Sequence, residues 1–161
     1  MKIELNSREY ECWHEAGHAL VCMTLGGSVE FIEFVDDPAC QGKARTRCEV
    51  TLNIRKHVAC GGFAAEYYLY KSGRLEATEK QFVSTALVNA FLDKQSFFGG
   101  NFEQVDGCWP AQMDIQFRDF AICTVAPIVA GNAVALEKIA KVLNENGRID
   151  KVKINQILSG T

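Results

Sequence analysis

Three features of this sequence predict a mainly α domain of the α+β class, with a small antiparallel β-sheet. Apolar residues recur at steps of three and four along much of the chain, which is the helical period. Strand-like patterns occur in residues 29–35, rich in β-branched and aromatic side chains, and in residues 50–54, where apolar side chains alternate. The length of 161 residues fits one domain, residues 1–161, without internal repeats or linkers.

The first predicted helix is the clearest element. Asn6 or Ser7 is suited to cap it, and Asn6 with Glu9 has the spacing of a capping box. Gly26 and Gly27 are expected to end it. Its apolar residues recur at helical spacing: Trp13, Ala16, Leu20 and Met23.

The next elements are predicted to be two strands and two helices. Residues 29–35 form the first strand, and residues 50–54 supply its antiparallel partner. The second helix runs from about residue 54 to residue 69 and stops near Ser72. A third helix is expected over residues 78–97, followed by a glycine-marked loop that extends to Gly107.

Prolines and capping residues divide the C-terminal third of the chain. Pro110 suits the first turn of a helix that runs to Ala121. Pro127 breaks that pattern and begins another helix, which Gly147 closes. Asp150 is expected to cap a short last helix over residues 151–158.

Composition and charge narrow the functional classes. Lys and Arg are scattered among acidic residues at a net charge of −3, so no basic stripe favours nucleic acid. The apolar stretches are too short or too interrupted to span a bilayer. Glu4, Glu9 and Glu11 stand where a signal peptide needs an apolar run, so we expect a cytoplasmic protein.

The cysteines are expected to be reduced and mostly buried. They form no CxxC pair, their number is odd, and the chain has no secretion signal. Cys22 lies one helical turn beyond His18, and helical geometry favours packing beneath a metal site over binding the metal.

The chemistry is concentrated in residues 14–18, His-Glu-Ala-Gly-His, which fit the motif HExxH. Residues four apart on a helix lie about 40° from each other around the axis, so His14 and His18 can bind one metal ion. Glu15 lies about 100° from His14 and can take the proton of a metal-bound water. The motif therefore predicts a metal site, with zinc the preferred ion.

Spacing alone leaves the third ligand open. The extended pattern HExxHxxGxxH fails because Thr24 occupies its last ligand position. His57 is the other histidine, and we expect it to be solvated, to cap its helix or to stabilise an oxyanion. Glu66 and Asp114 remain as carboxylate candidates.

Four blocks of sequence, in order along the chain, together resemble a known family. They are HEAGHAL at residues 14–20, CGGFAAEYYLY at 60–70, MDIQFRDFA at 113–121, and the helical segment 135–158. The resemblance is to the zinc-peptidase domain of FtsH-type, membrane-anchored ATP-dependent proteases. It implies a helical metallopeptidase fold in which His14, His18 and Asp114 bind zinc and Glu15 is the catalytic base. Glu66 matches a family glutamate, either a metal contact or an interior carboxylate hydrogen-bonded near the site.

The chain also departs from that family. It carries neither the ATPase module nor the transmembrane segments, and residues 78–107 resemble an inserted helix and loop. We therefore expect a stand-alone zinc metallopeptidase that hydrolyses peptides or unfolded proteins, with a strand near residues 29–35 offering an edge to them. The alternative is a metal-binding but catalytically inactive regulatory or interaction module, which binds an ATP-dependent protease or forms a homo-oligomer. A zinc-stabilised structural domain is a third, less favoured interpretation.

Overall fold

A long buried helix organises the fold, and the computed structural model describes residues 1–100 and 109–160. The predicted class is confirmed: the protein is mainly α, with a small antiparallel sheet. The helices are α1 (Arg8–Thr24), α2 (Arg55–Ala59), α3 (Gly61–Lys71), α4 (Glu79–Asn89), α5 (Phe91–Phe98), α6 (Ala111–Phe120), α7 (Ala126–Gly131), α8 (Ala133–Asn146) and α9 (Lys151–Leu158). The strands are β1 (Ile3–Glu4), β2 (Ser28–Phe34), β3 (Ala44–Glu49), β4 (Leu75–Glu76) and β5 (Arg148–Asp150).

Helix α1 lies at the centre of the hydrophobic core. Its N-cap is Ser7, whose hydroxyl accepts a hydrogen bond from the backbone N–H of Tyr10 at 3.2 Å. Each residue from position 10 to position 22 is buried, because α3, α8 and the sheet all pack against α1. Gly17 and Gly61 let α1 and α3 approach closely, since a methyl group at either position would overlap the other's backbone.

The three-stranded sheet has the order β3-β2-β5, and both pairings are antiparallel. Ile32 of β2 lies opposite Thr46 on one side and Ile149 on the other. The predicted partner strand at residues 50–54 is therefore wrong, since these residues form the turn before α2. β3 alternates between half-buried and exposed residues, and its outward arginines concealed the strand pattern. β2 is the central strand, so the expected edge near residues 29–35 is wrong, and the edge strands of this sheet are β3 and β5.

Several predicted helices contain breaks that periodicity did not indicate. The second is divided at Cys60 into α2 and α3, and the third is divided at Ala90 into α4 and α5. A π-helical turn, Ala121–Val125, precedes Pro127, and Asn132 separates α7 from α8. Helix α9 agrees with its prediction, including the cap at Asp150. Gly107, the predicted end of the loop after α5, lies outside the described residues.

Two further predictions concern membranes and cysteines. Among the described residues, no single helix is long and apolar enough to cross a membrane. The pair Ala111–Gly131 and Ala133–Asn146 reaches that length and composition only across an 83° bend. The described cysteines are free thiols: Cys12, Cys22 and Cys60 are buried, Cys48 is half-buried, and Cys40 and Cys123 are exposed. Cys22 packs against the sheet, with its sulfur 3.7 Å from the Ser28 carbonyl oxygen.

Candidate metal centre

The imidazoles of His14 and His18 meet one turn apart on α1. Their Nε2 atoms are 3.1 Å apart, and less than a tenth of each residue is exposed. Helical spacing alone explains this approach, because residues i and i+4 lie on the same face of a helix. The HExxH segment therefore has the conformation that its pattern predicts.

Hydrogen bonds to the other ring nitrogens orient both imidazoles. The Nδ1 atom of His14 is 2.7 Å from Oε1 of Glu66 on α3, and that of His18 is 2.7 Å from the carbonyl oxygen of Val58 on α2. Both partners are acceptors, so each Nδ1–H donates, and Nε2 is the nitrogen of each ring that can bind a metal ion once it is deprotonated. Imidazoles that bind metals are commonly held in this way.

Packing between α1 and α3 leaves His14 little freedom. Gly62 lies directly against the imidazole, and a methyl group there would overlap the ring atoms. Glu66, one turn further along α3, is 1% exposed and accepts the hydrogen bond from that ring. Gly62 and Glu66 of α3 therefore act together to place Nε2 of His14.

The third group at this point is Asp93 of α5. Its Oδ2 atom is 3.2 Å from Nε2 of His14, and its Oδ1 atom is 3.2 Å from Nε2 of His18. Ligand atoms of these three residues all lie within 4.8 Å of one another. Donor atoms around a tetrahedral zinc ion, each about 2.0–2.1 Å from the metal, are about 3.3 Å apart. His14, His18 and Asp93 thus form a group that can hold a metal ion.

The protonation states of these three residues depend on one another. Burial opposes a charge on His14, but the carboxylates of Glu66 and Asp93 outweigh it and hold the imidazole pKa well above its usual value. Burial likewise opposes ionisation of Asp93, yet the two imidazoles lower the pKa of its carboxyl group. A bound cation would take the place of the imidazole protons in compensating the buried carboxylate, which couples metal binding to proton release.

Asp114, the ligand implied by the family resemblance, has a different partner. Its carboxylate is 2.8 Å from Nζ of Lys94, and within the described parts of the chain it is not a member of the metal-binding group. The structure brings Asp93 to the histidines instead. Asp93 was missed because no metal motif includes it, although one signal was present. It lies on the helical face of Phe82, Ala86 and Ala90, where a carboxylate is unusual.

Glu15 lies beside the metal-binding group without joining it. Its Oε2 atom accepts a hydrogen bond from the Thr46 hydroxyl of β3 at 2.5 Å. Burial raises the pKa of the Glu15 carboxyl group, although the neighbouring His18 and His14 partly oppose this shift. Its position on the helix therefore agrees with the expected flanking geometry.

His57 is also outside this group among the described residues. Its ring packs edge-to-face on Phe120, with 5.1 Å between the centroids. His57 lies in α2, one residue before Val58, whose carbonyl oxygen accepts the hydrogen bond from His18. It therefore belongs to the helix that orients His18 and is not a third imidazole at the centre.

A cavity of about 360 Å³ opens next to the centre. Glu15, His18 and Asp93 line one part of its wall, and Thr46 of β3 and Arg55 of α2 line others. The backbone N–H of Ala44 donates to the Glu11 carboxylate at 2.9 Å, so it points away from β2. Because N–H directions alternate along a strand, Thr46 presents its backbone N–H at the same free edge.

No family model and no curated protein sequence matches this chain. The site is therefore characterised by its own geometry.

Proposed function

We propose that this protein is a zinc-dependent hydrolase of peptide bonds, with His14, His18 and Asp93 as the metal ligands. One observation carries the proposal: two Nδ1-anchored imidazoles and a carboxylate converge beside an unligated glutamate, at a cavity. Two imidazoles with one carboxylate are typical of catalytic zinc sites, which keep a coordination position for water. A structural zinc site is usually closed and rich in cysteine.

Glu15 is the proposed general base. Bound zinc would supply Lewis acidity and lower the pKa of water to about 7. The Glu15 carboxylate would accept the proton of that water as the general base. Thr46 holds the carboxylate by its hydrogen bond, so the base is oriented before substrate arrives.

The edge of β3 at Thr46 favours an extended peptide as the substrate. A peptide paired with this edge would run past Thr46, whose hydroxyl contacts Glu15, and would therefore lie along the metal cavity. Short peptides and unfolded segments can adopt this conformation, whereas a folded protein seldom exposes an extended segment. This substrate class agrees with the resemblance to FtsH-type peptidase domains.

The test combines metal content with hydrolysis of a quenched fluorescent peptide library, using protein purified without a histidine tag. The proposal expects about one zinc per chain and cleavage that a chelator abolishes. Glu15→Gln is expected to retain zinc and lose cleavage. Absence of zinc after refolding with the metal would refute the proposal, and zinc without cleavage of any library member would leave only a metal-binding module.

That module is the second candidate function, and one observation favours it. Asp93 comes from the segment that resembles an insertion, whereas Asp114, at the family's ligand position, is paired with Lys94. A related protein that binds the metal without catalysing a reaction would tolerate a change of the third ligand. Such a module would act through a partner, either an ATP-dependent protease or a second copy of this chain.

A further inference from the structure

The cavity beside the metal centre contains two arginines that differ in their partners. Arg45 of β3 contacts the Glu33 carboxylate at 2.7 Å, a carboxylate that it shares with Arg148. Arg55 of α2 has no carboxylate partner among residues 1–100 and 109–160, and its buried Nε has no hydrogen-bond acceptor there. A partly buried guanidinium without an anion is unfavourable, because it has given up water without gaining a charged partner.

Arg55 is held by the same elements that build the centre. It is the first residue of α2, whose Val58 carbonyl anchors His18. Its guanidinium packs against Gly99, the C-cap of the helix that carries Asp93. Nη2 lies 3.2 Å from the point that a Cβ of Gly99 would occupy. The arginine therefore belongs to the wall of the cavity rather than to the mobile surface.

The described residues that line the cavity include two carboxylates, Glu15 and Asp93, and two arginines, Arg45 and Arg55. Glu15 is hydrogen-bonded to Thr46 and Asp93 contacts the two imidazoles, so neither carboxylate of the wall is the partner of Arg55. A substrate carboxylate would supply the acceptor that the buried Nε of Arg55 lacks. Arginine suits this role because its planar fork binds a carboxylate through two parallel hydrogen bonds.

We propose that Arg55 is a specificity-determining residue that binds a carboxylate of the peptide substrate. The carboxylate is either an acidic side chain near the scissile bond or the free C-terminus of the peptide, and both have the same chemistry. This inference rests on the proposed function, since it assigns the substrate class of the same cavity.

The binding experiment uses the zinc-loaded Glu15→Gln protein, so that affinity is measured without hydrolysis. Three kinds of peptide of one length are compared by titration calorimetry. The first has no acidic side chain and a free C-terminus, and the second is its C-terminal amide. The third is a series of amides in which one Gln is replaced by Glu at successive positions. Tighter binding of the first peptide would identify the C-terminus, and tighter binding of a Glu-containing amide would identify a side chain.

Arg55→Gln is expected to weaken binding of the preferred carboxylate peptide by about tenfold or more, the range for a charged hydrogen bond. Binding of the neutral amide is expected to change less than about twofold, within the range of a non-contacting surface change. Arg55→Lys should recover part of the loss, because it restores the charge but not the fork. The matched control is Arg47→Gln on β3, an exposed arginine outside the cavity that pairs with Glu30.

Equal losses for acidic and neutral peptides, or no loss in Arg55→Gln, would overturn the inference. A carboxylate that binds only the zinc ion would give the second result. Zinc content of each variant separates a damaged centre from a lost contact. If the wild-type protein hydrolyses no peptide but the preference for acidic peptides depends on Arg55, the proposed catalysis fails while this assignment stands. If the wild-type protein cleaves peptides without a preference that depends on Arg55, this assignment fails while the proposed catalysis stands.

Discussion

Replacing Asp93 and Asp114 by asparagine, one at a time, separates the structural assignment from the one that the family resemblance implies. Asp93 contacts both imidazole Nε2 atoms at 3.2 Å, so Asp93→Asn removes the anionic member of the group. Loss of a residue that only orients a ligand typically costs about 10–100-fold in metal affinity. Loss of the carboxylate itself is expected to cost more than about 100-fold, or about 2.7 kcal/mol.

Asp114→Asn is the matched control, since it makes the same chemical change 21 positions further along the chain. Its carboxylate contacts Lys94, whose side chain is 4% exposed. Leaving that ammonium without its anion is expected to lower the free energy of unfolding by about 3 kcal/mol, with little effect on zinc affinity.

Zinc affinity would be measured by competition with a chromophoric chelator, and stability by urea unfolding of the metal-free proteins. The expected pattern is weak zinc binding in Asp93→Asn and normal binding in a destabilised Asp114→Asn. Retention of zinc by the Asp93 variant together with its loss from the Asp114 variant would refute the assignment and return the third ligand to Asp114. Loss from both would indicate that the Lys94 pair supports α5 in the position that brings Asp93 to the histidines.

Three further substitutions test the parts that surround the centre. Glu66→Gln is expected to weaken zinc binding by about 10–100-fold, because it removes the charged acceptor of the His14 Nδ1–H; unchanged affinity in the chelator competition would contradict this role. Glu15→Gln is expected to keep zinc and lower peptide cleavage by about 10²–10⁴-fold, the usual contribution of a general base; loss of zinc would instead make Glu15 a ligand. Gly62→Ala is expected to destabilise the fold by about 1–3 kcal/mol and to weaken zinc binding, because the new methyl group overlaps the His14 ring. Gly131→Ala is its control in thermal unfolding, since a methyl group there meets no atom within 4 Å and its φ is not positive.

The origin of Asp93 links the α4–α5 region to the proposed function. The family resemblance predicts an inserted helix and loop at residues 78–107, yet α5 carries the carboxylate that contacts both histidines. Helix α5 also forms part of the cavity wall, through Asp93 and Ser96. A region that resembles an insertion therefore belongs to the centre itself.

Local periodicity was enough to predict the parts of this protein that depend on one segment of chain. His14 and His18 are neighbours because any α-helix places residues i and i+4 on one face. Ser7 and Asp150 cap their helices because each satisfies backbone N–H groups within three residues. The mainly helical class followed from the same period, repeated along the chain.

Contacts between distant segments determine the features that local periodicity did not predict. The third member of the metal group lies 75 positions beyond His18, and only the packing of α5 against α2 and α1 selects Asp93 over Asp114 or Glu66. β3 was missed because a strand with one half-buried face and an arginine-rich outer face has little alternation of apolar residues. The helix breaks at Cys60 and Ala90 also depend on tertiary contacts, because the sequence on both sides of each break keeps the apolar spacing of a helix. The sequence alone determines which helix carries the two imidazoles, and the tertiary structure decides which carboxylate completes their site, because a helix sets its own face but not its neighbours.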